Sequence, residues 1–267
     1  MTSTAGASEW RAANRANWDE RVPIHAAGSY YDLPGFVAGN ETLRSFERAE
    51  VGDVKGKTLL HLQCHIGLDT LSWARHGATV TGLDFSAPAM AVAAELAQQI
   101  GVTARFVPAD LYDAPGALDG QTFDIVYTGI GALCWLPDVA EWARTVAALL
   151  APGGFLYLVE FHPVADVLAD DGRTVEEDYF SREPMVVDDP LTYADPDARL
   201  TASLTVEWRH GLGEVVSALA DAGLHLQFLH EHDHGHFRFP PGQPVPQLYS
   251  LRAVKPAAPV GRHLEGP

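Results

Sequence analysis

Basic residues are scarce in this chain: 18 lysines and arginines face 35 aspartates and glutamates, giving a formal charge of −17 over 267 residues. A surface of that sign repels a phosphate backbone, so nucleic acid is not an expected partner. Cysteine is nearly absent. The two present, Cys64 and Cys134, lie in apolar sequence, which argues against a disulfide framework and for a reducing compartment. No apolar run reaches membrane-spanning length, and Met1 to Ser8 is small and polar, without the basic-then-apolar order of an export signal. Internal repeats are also missing. Together these absences predict a cytoplasmic protein with no membrane or nucleic-acid partner.

What is present is alternation. With 47% hydrophobic residues, one α/β domain with insertions is expected over residues 1–267. Strands are expected near 58–63, 79–83, 104–107, 123–128 and 154–160, with helices near 68–76, 87–100 and 138–150 between them. Short crossovers of this kind imply parallel strands with right-handed connections. Residues 1–56 are expected to form an N-terminal helical cap, with helices near 9–27 and 41–50, and 57–162 the cofactor-binding core. An acidic, irregular insertion spans 163–210, and a C-terminal helix and strand pair occupies 211–255. The fold class expected is a Rossmann-like doubly wound sheet, mostly parallel, with an antiparallel last strand.

The most informative stretch is Leu59-Leu60-His61-Leu62-Gln63-Cys64-His65-Ile66-Gly67, a strand breaking into a tight turn that opens a helix. Val80-Thr81-Gly82-Leu83-Asp84 then brings a carboxylate to the tip of the second strand, where it can hold ribose hydroxyls. Ala109-Asp110-Leu111 follows the third strand, Tyr127-Thr128-Gly129-Ile130-Gly131 the fourth, and Leu150-Ala151-Pro152-Gly153-Gly154 precedes the fifth. A nicotinamide-binding protein would need Gly-x-Gly-x-x-Gly, which is absent, and would give Asp110 no role.

This order of elements resembles the class I S-adenosylmethionine-dependent methyltransferases, well over 57–162 and plausibly to 255. The resemblance implies S-adenosyl-L-methionine as cofactor. By position, Asp84 corresponds to the acid on the ribose diol, Phe85 packs on the adenine, Asp110 accepts the adenine amino group with Leu111 against the ring, and Gly129 approaches the methionine portion. The first motif departs from the family's acid and three alternating glycines: His61 stands for the acid, Gln63 and His65 for two glycines, and only Gly67 remains. Gln63 or His65 is then expected to meet the methionine carboxylate or to border the substrate.

Histidine is concentrated near the C-terminus. His230, His232 and His234 alternate after Leu224, Leu226 and Phe228, so that one strand face would carry all of them toward the carboxyl end. His162 ends the fifth strand and His210 precedes the helix expected at 212–222. Imidazoles converging from strand ends suit a Zn2+ or Fe2+ ion, with His162, His230 and His232 as the expected ligands and His210 and His234 in reserve. Such an ion would acidify the carbon beside a 2-oxo acid's ketone for C-methylation, as the resemblance loosely suggests for some bacterial enzymes of this fold. Without a metal, His162 or His210 could act as base for O- or N-methylation. A sensor that binds the cofactor without transfer is the alternative from another class. Trp18, His25 and Tyr31 are expected to lid the cofactor or to be ordinary core. Trp142 leaves monomer and homodimer equally open.

Overall fold

The computed structural model describes residues 4–242 and 244–257. The chain opens with helix α1 (Thr4–Ala27), short α2 (Leu33–Val37) and α3 (Ser45–Val51), then alternates β1 (Thr58–Leu62), α4 (Leu68–Arg75), β2 (Thr79–Asp84), α5 (Ala87–Gln99) and β3 (Ala104–Pro108). A single turn, α6 (Ala114–Ala117), precedes β4 (Phe123–Thr128), α7 (Val139–Leu149), β5 (Leu150–Phe161) and the brief α8 (Pro163–Asp166). The remaining elements are β6 (Met185–Asp188), β7 (Leu204–Glu207), α9 (Leu212–Asp221), β8 (His225–His232) and β9 (Leu248–Val254).

Seven strands form one sheet in the order β3-β2-β1-β4-β5-β9-β8, and β6 pairs with β7 apart from it. The strands from β3 to β5 run parallel, whereas β9 is antiparallel to both β5 and β8. This is the Rossmann-like architecture expected, with the antiparallel strand inside the sheet rather than at its rim. The strand order reverses at β1 and β4, which opens a crevice beyond their carboxyl ends.

Both faces of the sheet are covered, so β1 reads as an almost unbroken apolar run. Leu60 and Leu62 face one side, packing with Trp142, Val146, Leu156 and Val215 beneath α7 and α9. Leu59 faces the other, with Trp73, Tyr127 and Tyr157 under α3 and α4. Helix α7 buries Val139, Trp142, Ala143, Val146 and Leu149, one helical stripe. Trp142 is fully buried in this core, so its apolar bulk is accounted for within one chain.

Helix α2 was not expected. Asp32 caps it by accepting the Gly35 N–H at 3.1 Å. The next helix starts four residues later than expected, because the Glu41 carboxylate takes the Thr42 and Leu43 N–H groups and the chain is not released into a helix until Arg44. No helix among the described residues is long and apolar enough to cross a membrane.

Candidate active site

Gly67 ends the turn after β1 with φ 79°, and a Cβ there would come within 2.8 Å of the Ala93 Cβ. Only glycine suits both demands. The two side-chain-bearing residues before it adopt the same left-handed region, Gln63 at φ 56° and His65 at φ 48°. Each such residue costs about 1–2 kcal/mol, and each is held by bonds that offset it. Gln63 Nε2 donates to the Ala132 carbonyl at 2.9 Å, and the His65 N–H donates to Asp84 Oδ2 at 2.9 Å. The turn keeps the glycine-type backbone while gaining two polar side chains.

Asp84 sits at the end of β2, its second oxygen accepting the Ser86 N–H at 2.9 Å. Burial pushes its carboxyl up to about 6, against the lowering effect of the two N–H donors. Asp110 begins the next turn. Its Oδ1 accepts the Tyr112 N–H at 3.0 Å and its Oδ2 lies 3.5 Å from the Arg11 guanidinium. Asp84, Phe85, Asp110 and Leu111 line one cleft with Gln63 and Trp135. The cofactor fits this donor set: two carboxylates for ribose and adenine donors, a phenyl face, and a buried Gln63 Oε1 without a partner among the described residues.

The cleft's roof was only partly legible in the sequence. Helix α1 supplies Arg11 and Asn14 to it, and the insertion fixes α1 in place. Asn14 Nδ2 donates to the Val206 carbonyl and its Oδ1 accepts the Val206 N–H, both at 2.7 Å, so one side chain imitates a paired strand against β7. Glu20 accepts the Thr201 and Ala202 N–H groups at 2.8 and 2.7 Å. Thr192 and Tyr193 of the insertion reach His25 and Tyr31 beside it, and nothing in that irregular segment's periodicity marked them.

Over the β1 turn these parts assemble a box of neutral rings. Trp18 packs edge-on against His65 at 5.1 Å and Trp135 at 5.3 Å. His65 Nε2 lies 3.0 Å from His25 Nδ1, and His25 Nε2 lies 2.7 Å from Thr192 Oγ1. Burial holds His65 down to about 3 and His25 to about 4, so both are neutral at physiological pH. Tyr31 stacks obliquely on His25, and its hydroxyl pairs with that of Tyr193 at 2.5 Å. If His65 Nε2 donates to His25 and His25 Nε2 to Thr192, the His65 Nδ1 lone pair is left free; no partner for it occurs among the described residues.

The expected metal site does not form. His162 uses Nδ1 to accept the Val164 N–H at 3.2 Å, and its Nε2 lies 3.0 Å from Glu231 Oε1. His230 lies 2.7 Å from Glu50, and His232 stacks on Phe46 at 4.1 Å while bonding Ser250. Glu231 lies between those histidines on β8, so alternation sends His230 and His232 to one face while His162 meets the other. A bulge between Leu226 and Phe228 also takes Leu226, 44% exposed, off the expected apolar face. Among the described residues no three His, Cys, Asp or Glu side chains come close enough to hold an ion. His162 and His210, like His25 and His65, do not line the Asp84–Asp110 cleft itself. His210 Nε2 is spent on the Leu136 carbonyl at 2.7 Å.

Glu160, at the end of β5, went unnoticed in the sequence. Its two oxygens accept the N–H groups of Gly131, Ala132, Leu133 and Phe161, fixing the loop whose Ala132 carbonyl receives Gln63. Burial raises its carboxyl to about 7.

Residues 60–156 match the family described as a methyltransferase domain. A ubiquinone biosynthesis O-methyltransferase from Serratia proteamaculans is 34% identical over 106 residues, 40% of this chain and 43% of that relative. The chain thus aligns with less than half the length of this curated relative. An S-adenosylmethionine-dependent methyltransferase structure from Mesorhizobium loti superposes with a TM-score of 0.57 at 24% identity, covering 78% of this chain and 94% of that one. One from Methanosarcina mazei gives 0.61 at 19% identity, covering 81% and 99%. The chain therefore shares the fold of these methyltransferase structures, and Asp84 and Asp110 lie at the sheet edge where that fold opens its crevice.

The perturbed Asp84 gives a prediction with two opposite signs. Its ordinary value of 3.8 rises to about 6 on folding, so ionisation works against the folded state, and the stability it contributes declines as pH rises between those values. Binding runs the other way, because a ribose diol donates to the ionised form. S-adenosylhomocysteine affinity is expected to be flat above pH 6 and to weaken by up to about tenfold per pH unit below it. Isothermal titration calorimetry across that range checks it; affinity that rises on acidification overturns the ribose role.

Proposed function

We propose that this chain is an S-adenosylmethionine-dependent methyltransferase that methylates an oxygen atom of a small acceptor, with the His65–His25 pair taking the proton. The observation that carries the reading is the convergence of Asp84 and Asp110 on one cleft. The name of the Serratia relative supports oxygen as the acceptor atom.

When bound, S-adenosylmethionine would supply an electrophilic sulfonium methyl group. Asp84 would accept the ribose hydroxyls, Asp110 the adenine amino group, and Phe85 and Leu111 would pack against the ring. Trp18, whose ring already carries the Arg21 guanidinium at 5.1 Å, and Trp135 pack edge-to-face and help exclude water beside the β1 turn. His65 Nδ1 accepts the hydroxyl proton of the acceptor, and the positive charge that develops is stabilised through the Nε2–H bond to His25 Nδ1. Transfer itself needs alignment of the reacting atoms more than further chemistry.

Incubating the protein with methyl-labelled S-adenosylmethionine and a panel of phenols, catechols and 2-oxo acids, with and without EDTA, tests the reading. Labelled methyl ether formed equally in both conditions is the expected result. Tight S-adenosylhomocysteine binding with no labelled product from any acceptor would point to a sensor, and product lost on chelation would restore a metal.

A further inference from the structure

One face of α1 runs on past the cleft. Arg11, Asn14, Trp18, Arg21 and His25 follow one another at steps of three or four residues, so they share a single stripe of the helix. Arg11 and Asn14 line the cleft, Trp18 packs on the Trp135 that walls it, and His25 belongs to the ring box. Arg21 lies between the last two. Its Cζ is 5.1 Å from the centre of the Trp18 ring and 5.9 Å from that of Tyr193, so two aromatic side chains hold the guanidinium in place.

What Arg21 lacks is an anion. Acidic residues outnumber basic ones 35 to 18, yet no carboxylate among the described residues forms an ion pair with it. Its Nε is buried without a hydrogen-bond partner among them. The two Nη groups have none either, and in this half-buried side chain they remain open to solvent. Burial pulls the guanidinium below its ordinary value, and Glu207 and Asp189 act on it only through space. Glu207 is a weak counter-charge, because burial raises its own carboxyl. A guanidinium positioned by rings, with its donor fork unused, suits a planar carboxylate. It also sits beside the base. The Trp18 ring centre is 5.1 Å from Arg21 Cζ and 5.1 Å from the His65 ring, so cation and imidazole are at most about 10 Å apart. The Arg21 charge adds to the burial that holds both His25 and His65 neutral.

We propose that Arg21 binds the carboxylate of the methyl acceptor, which makes the substrate a small hydroxy acid with its hydroxyl at His65 Nδ1. The acid is held by its unreactive end, and that grip orients the reacting oxygen. A protein of charge −17 repels anions from most of its surface, so an anionic substrate needs a fixed cation at its seat. The inference rests on the proposed function for the hydroxyl half; the carboxylate half stands on Arg21 alone.

Calorimetry under saturating S-adenosylhomocysteine tests it, comparing salicylate, 3-hydroxybenzoate and mandelate with their neutral amides on wild type, Arg21→Lys and Arg21→Gln. Wild type is expected to bind at least one acid about tenfold or more tighter than its amide. Arg21→Gln should lower that acid's affinity roughly 10- to 100-fold and leave the amide within about twofold. Arg21→Lys keeps the charge without the fork and should retain part of the preference. No preference for any acid in wild type overturns the proposal. So does a loss shared equally by acid and amide, which would make Arg21 structural. An S-adenosylhomocysteine affinity that falls in Arg21→Gln while that of 5′-methylthioadenosine (which lacks the amino-acid end) holds would give Arg21 to the cofactor and equally overturn it. Methyl transfer is scored separately with labelled S-adenosylmethionine. Acids that bind through Arg21 yet yield no labelled ether would uphold the carboxylate seat and defeat the O-methylation reading. Should S-adenosylhomocysteine not bind, the same titrations on the free protein decide the seat.

Discussion

Replacing His65 with asparagine is expected to lower kcat by about 10²–10⁴ while leaving the S-adenosylhomocysteine dissociation constant within about threefold. The variant is chosen for its backbone. Asparagine tolerates the left-handed region better than other side-chain-bearing residues, so the turn at φ 48° survives and the main-chain N–H still reaches Asp84. What disappears is the imidazole and with it the chain through His25 to Thr192. A merely structural role for His65 would lower the melting temperature and the affinity together. Single-turnover kinetics with a productive acceptor separates the outcomes, and an unchanged transfer rate removes His65 from the mechanism.

Asp84→Asn is expected to weaken S-adenosylhomocysteine about 10²–10³-fold and to destabilise the free protein by about 1–3 kcal/mol. Each carboxylate oxygen of Asp84 already accepts a main-chain N–H, one from His65 and one from Ser86. An asparagine must turn its own NH2 toward one of those donors, leaving a buried N–H without an acceptor. The side chain is 8% exposed, so water cannot repair the loss cheaply. The ribose hydroxyls lose their charged acceptor by the same change. Calorimetry and a thermal melt measure the two effects separately. Retained affinity with lowered stability would leave Asp84 as a turn-holding residue alone.

The sheet was readable because its physics is local. Buried parallel strands are short apolar runs, and β1, β2, β3 and β4 fall within a residue or so of the expected spans. Strand β5 starts earlier than expected, because Leu150 pairs with Phe123 ahead of a register shift that resumes at Phe155. Asp84 and Asp110 were legible for a related reason, since a strand tip followed by a turn fixes where a carboxylate must go. The histidine cluster misled because alternation was carried from Leu224 through a bulge that sequence does not mark, and because His162 lies two strands from β8. The roof was opaque for a different reason. Asn14, Glu20, Thr192 and Tyr193 act through bonds between segments 162 to 192 residues apart, and no periodicity records such pairings. Glu160 escaped notice because its four partners are main-chain groups, which carry no sequence signal.

The position of β9 bears on how the molecule comes together. Strand β8 is made earlier yet touches the sheet only through β9, which lies between it and β5. During synthesis, residues 225–232 emerge as an amphipathic ribbon with no edge to join until Leu248–Val254 leaves the ribosome. Until then β5 exposes an open hydrogen-bonding edge of its own, the kind of surface that invites pairing with another nascent copy. Completion of the sheet is therefore a late event of high contact order, and chaperone demand should be concentrated in the interval between those two segments.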